Sequence, residues 1–106
     1  MTDQELLVRA GTALCKSRGL PLYNHRQDEQ PAVFTYMGRS WNPLEDDGDA
    51  LRLAVALRIS IDPREDGVCA IAGNNKHVVI EMGNGELLVV ATRRAIVRAA
   101  AMLAAD

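Results

Sequence analysis

The sequence predicts an α+β domain with three helices against a mainly antiparallel sheet of about four to five strands. Three observations carry that expectation. Apolar residues recur at helical spacing near both ends of the chain; short β-branched and aromatic runs lie between, separated by turn residues; and the second of two hairpin-like segments is apolar on both faces. Val78, Ile80 and Met82 would share one face, and Val79 with Ile71 or Ala70 the other, so helices are expected on both sides, as in a three-layer alpha-beta-alpha sandwich. With 106 residues, 48% of them hydrophobic, residues 1–106 are expected to form a single domain with a core that needs neither metal nor disulfide.

Thr2 or Asp3 can cap a first helix over residues 3–17, where Leu6, Leu7, Ala10, Ala13 and Leu14 mark the buried face and Gly19 the stop. Residues 20–23 and 32–37 read as two strands of a hairpin, joined by the polar run 24–30, with Pro31 suited to a strand's first position. The polar and aromatic connection 39–43 leads to a second helix over residues 44–57, apolar over most of its surface. Residues 59–62 alternate briefly, as a short strand at a sheet edge would, before the turn chemistry of residues 63–67. Gly73-Asn74-Asn75 then joins strands 68–72 and 76–82, the clearest hairpin in the chain. Leu87-Leu88-Val89-Val90 has the residue types of a strand. Yet Leu88, Ala91, Ala95, Ile96, Ala99 and Met102 lie on one helical face without a breaker, so a helix over residues 85–104 is expected, capped by Asn84.

Composition narrows the function classes. Twelve basic residues against fourteen acidic ones, spread along the chain, give net charge -2 and no basic field, so nucleic-acid binding is not expected. Cys15 and Cys69 lack ligand or disulfide-framework spacing and read as small buried hydrophobes. The acidic, amphipathic start is unlike a secretion signal, and Arg93, Arg94 and Arg98 break the longest aliphatic region, so a cytosolic protein that does not enter a membrane is expected.

Candidate sites are few. The acidic run Glu45, Asp46, Asp47, Asp49 offers oxygen ligands, but not at calcium-loop spacing; acids at a helix start more simply cap it and stabilise the positive end of its dipole. Trp41, the sole tryptophan, could anchor a partner or close the core over a helix start. Arg94 and Arg98 share a helix face that could meet a phosphate or an acidic partner; alternatively, the arginines of this helix could pair with the acids at 45–49. Cys69 and His77 would make a nucleophile and base only if they shared a face, and a two-residue turn places them on opposite faces. His25 reads as a solvated loop residue, and the Gly-Asn turns lack the residues of a phosphate loop. No constellation for catalysis is present and no cofactor is implied.

Two stretches, WNPLEDDGDALRLAV at residues 41–55 and ATRRAIVRAAA at residues 91–101, resemble the phage ABA sandwich domain family. The resemblance implies an alpha-beta-alpha sandwich encoded by a tailed bacteriophage or prophage, with no assigned molecular activity and no catalytic residues to carry over. The resulting expectation is a small non-enzymatic accessory protein that binds a host protein in the bacterial cytoplasm, for host take-over or anti-defence, with Trp41, Arg94 and Arg98 as candidate contacts. The alternative is a small-ligand binder that sequesters an anionic metabolite or signalling nucleotide, using the arginines and the helix start at Asn84. A homodimer through the 59–62 edge is also open.

Overall fold

The first helix, α1 (Asp3–Arg18), starts where the Thr2 hydroxyl accepts a hydrogen bond from the Glu5 amide at 3.1 Å. It stops at Gly19, whose φ of 70° is left-handed and whose amide donates back to the Cys15 carbonyl. The computed structural model describes residues 1–19, 22–24, 34–36 and 39–105. The expectations for His25, for Pro31 and for most of the 24–30 connection lie outside these residues.

The chain continues as β1 (Leu22–Asn24), β2 (Phe34–Tyr36), β3 (Arg39–Ser40), α2 (Asp47–Leu57), β4 (Ser60–Pro63), β5 (Gly67–Ala72), β6 (His77–Met82) and α3 (Glu86–Leu103). The α+β class is as expected, as are the three helices among the described residues. Among the described residues, however, the strands form two small antiparallel sheets, ordered β1-β2-β3 and β4-β5-β6, instead of one. Arg39 and Ser40, expected in a connection, extend the first sheet by pairing with Tyr36 and Thr35.

In the second sheet, Asn74 and Asn75 take left-handed φ of 56° and 71°, and the Lys76 amide donates to the Gly73 carbonyl at 3.1 Å. Two successive left-handed residues match the twist of the flanking strands, so the turn sets the register, with Ala72 opposite His77 and Cys69 opposite Ile80. Val68, Ala70, Ala72 and Val79 therefore face inward and are buried, while Val78, Ile80 and Met82 face outward.

Both later helices start after their expected positions. Residues 44–45 form a turn, with the Asp46 amide donating to the Asn42 carbonyl at 2.9 Å. The Asp46 carboxylate then accepts from the Asp49 amide at 2.8 Å, which makes Asp46 the cap of α2. At α3 the residue before the first turn is Gly85, without a side-chain cap, and Asn84 contributes only its carbonyl, which accepts from Leu87. The 87–90 segment is helical, as the uninterrupted helical face requires.

α3 packs on the inner face of β4-β5-β6 and on α1 and α2, and α2 also packs on α1. The core joins Leu6, Leu7 and Leu14 of α1, Leu53 and Ala54 of α2, Val68 and Val79 of the sheet, and Ala95, Ile96 and Val97 of α3. Helices were expected on both faces of the sheet; among the described residues the outer face carries none.

Leu53 is fully buried, so Leu53→Ala is expected to lower the unfolding free energy by about 2–5 kcal/mol in urea denaturation. Gly67→Ala is expected to lower it by about 1–3 kcal/mol, because an added methyl would lie 2.8 Å from the Glu81 backbone oxygen across the sheet.

Candidate functional site

The arginines of α3 meet carboxylates from three different elements. Arg93 donates through Nε to the Leu44 carbonyl at 2.8 Å and through Nη1 to Asp47 Oδ1 at 2.6 Å. Arg94 donates to Asp3 Oδ1 at 2.9 Å and lies 4.0 Å from Glu81 Oε1. Arg98 donates to the other Glu81 oxygen, with the Ile80 carbonyl 3.5 Å from the same nitrogen. Of the three arginines, then, Arg93 pairs with the acidic run of α2, whereas Arg94 and Arg98 turn to α1 and β6.

Glu81 is the site residue that sequence reasoning missed. It alternates with Val79 on the inward face of β6, and a carboxylate there needs a cation from the covering helix, which Arg94 and Arg98 provide. Around this cluster α1, α3 and β6 border an open cleft of about 760 Å³ whose lining includes Leu6, Arg9, His77, Glu81, Arg94, Arg98 and Met102.

Trp41 lies elsewhere. It is 5% exposed, packs in the core ahead of α2, and borders a second cleft of about 660 Å³ with Tyr36, Arg39, Leu51 and Val55. The candidate trio of Trp41, Arg94 and Arg98 is thus divided between a core lid and the first cleft.

The acidic run serves α2. Asp46 is the cap, Asp47 meets Arg93, and the buried Asp49 accepts from the Asn42 amide at 2.9 Å and from Arg52 at 2.8 Å. Among the described residues no group of three or more His, Cys, Asp or Glu converges as a metal ion would require. Cys69 and His77 occupy opposite faces of the sheet, as the two-residue turn dictates. Both cysteines are free and partly buried, less enclosed than the sequence suggests, and burial pushes the Cys15 thiol above its ordinary range.

The outer face of the second sheet is the other distinctive surface. Val78, Ile80 and Met82 are 52%, 63% and 68% exposed, beside the partly buried Ile71 and Cys69 on the neighbouring strand. Asp62, paired with Arg64 at 2.7 Å, forms a polar border along β4. No helix among the described residues is long and apolar enough to cross a membrane.

The chain matches no protein-family model, no curated protein and no solved structure.

Arg93→Ala is expected to lower stability by about 1–3 kcal/mol, because it removes a mostly buried guanidinium and leaves the Leu44 carbonyl without that donor. Asp47→Ala, at an exposed carboxylate, is expected to cost less than about 1 kcal/mol. Chemical denaturation of the two variants and of the double variant checks this ranking.

Proposed function

We propose that the chain is a small non-enzymatic accessory protein of a phage or prophage that acts in the bacterial cytoplasm by binding a host protein. The observation that carries this reading is the outward row Val78, Ile80 and Met82 on the second sheet. A contiguous exposed apolar strip with a polar border has the anatomy of a protein contact. The resemblance of residues 41–55 and 91–101 to phage ABA sandwich domains supports the phage setting, and the lack of a catalytic motif supports a binding role.

The contact would be made by an amphipathic helix of the partner. The apolar rows lie on two adjacent strands, β5 and β6, roughly 5 Å apart, and a helix roughly 10 Å across covers such a pair. Docked there, the partner's helix completes the three-layer alpha-beta-alpha arrangement that the two-faced apolar pattern of β6 calls for. Arg94 and Arg98 lie on the opposite side of the sheet and Trp41 in the core, so the contact is assigned to the Ile80 row.

Affinity capture from the bacterial host with wild type and Ile80→Lys tests this. One host protein in stoichiometric yield is expected on wild type, with affinity at least roughly tenfold weaker for the variant and an unchanged melting temperature. Equal capture by both overturns the assignment of the face. A wild-type dimer that Ile80→Lys converts to monomer would put a second copy in place of the host protein.

A further inference from the structure

The cleft between α1, α3 and β6 is separate from the proposed contact face and has a chemistry of its own. The ionisable side chains that line it are three guanidiniums, Arg9, Arg94 and Arg98, with one carboxylate, Glu81, and one imidazole, His77. In a chain of net charge -2 this is a local concentration of positive charge. Glu81 is mostly buried and accepts a hydrogen bond from Arg98, which fixes the direction of that fork, while Arg94 lies 4.0 Å from Glu81 and donates to Asp3. Each guanidinium carries five N–H donors, so contact with Glu81 leaves donors to spare. Arg9 has no ion pair among the described residues.

We propose that this cleft binds a phosphate ester of nucleotide size. Its phosphates would be held by Arg9, Arg94 and Arg98, and its organic body would lie against Leu6 and Met102. Planar guanidinium forks match the oxygen geometry of phosphate, and a fork already held in place, as Arg98 is by Glu81, loses little freedom on binding. The volume, about 760 Å³, lies within the range of small-molecule sites and far exceeds a lone phosphate. Arg94 also pairs with the exposed carboxylate of Asp3, and that pair exchanges for the ligand at little cost. Glu81 both orders Arg98 and opposes the anion, so replacing it with an uncharged isostere of the same shape strengthens binding.

Isothermal titration of the full chain at low ionic strength, with ATP, pyrophosphate and citrate as separate probes, tests the proposal. ATP is expected to bind saturably at one site, more tightly than pyrophosphate, and citrate weakly. Arg9→Ala, at an exposed position, is expected to weaken ATP roughly tenfold without altering the melting temperature. Glu81→Gln is expected to tighten it, an effect that a purely structural ion pair does not produce. Ile80→Lys is expected to bind ATP like wild type, so this site stands or falls independently of the partner contact. Absence of saturable ATP binding by folded wild type overturns the proposal, as does wild-type affinity in both Arg9→Ala and Glu81→Gln. Pyrophosphate binding as tightly as ATP overturns the role of Leu6 and Met102, and citrate binding as tightly overturns the preference for phosphate.

Discussion

α3 has to pack on three sides at once, and that constraint shapes the rest of the molecule. The sheet β4-β5-β6 lies against one side of it, with α1 and α2 against others. A helix so surrounded has room for large side chains in few directions. Ala91, Ala95, Ala99, Ala100 and Ala101 are all buried, and their small volume lets neighbouring backbones approach closely. Each alanine removes little apolar area from water, so the stabilisation comes from many close contacts spread along the helix, with larger side chains such as Leu53, Val79 and Val97 filling the spaces between.

The polar residues of α3 follow from the same geometry. Arg93, Arg94 and Arg98 leave the helix where its neighbours end, and each reaches a different one: the start of α2, the start of α1, and β6. One helix therefore ties three elements by charge as well as by packing. Arg94 and Arg98 line the cleft together with Glu81 of β6, and with α3 on the inner face of the sheet the outward row Val78, Ile80 and Met82 is exposed. Both proposed surfaces are in this sense consequences of where α3 lies.

Much of this was legible in the residues where the causes are local. Gly19 ends α1, Asn74-Asn75 sets the hairpin register, and the unbroken helical face of residues 88–103 outweighs the strand-like composition of 87–90. The division into two sheets was not legible, because strand pairing depends on partners distant in sequence. The start of α2 was hidden because Asn42 and Asp46 both turn the chain before the helix begins, and at α3 Gly85 occupies the position that Asn84 was expected to hold. The division of Trp41 from Arg94 and Arg98 is a tertiary fact with no sequence mark. Glu81 could have been found, since a carboxylate on the inward face of an apolar strand calls for a cation on the helix above it. The alternation of β6 reported two apolar faces correctly, but an apolar pattern does not say whether its cover belongs to the same chain.

Native-state hydrogen exchange tests most directly whether α3 is the element on which the others depend. The amides of residues 93–101 and of β5 are expected to exchange slowest, with protection approaching the free energy of global unfolding, while the ends of α1 and the start of α3 exchange through local opening. If instead the middle of α3 exchanges through openings well below the global value while the sheet stays protected, α3 is a peripheral helix and the present account of the fold is wrong.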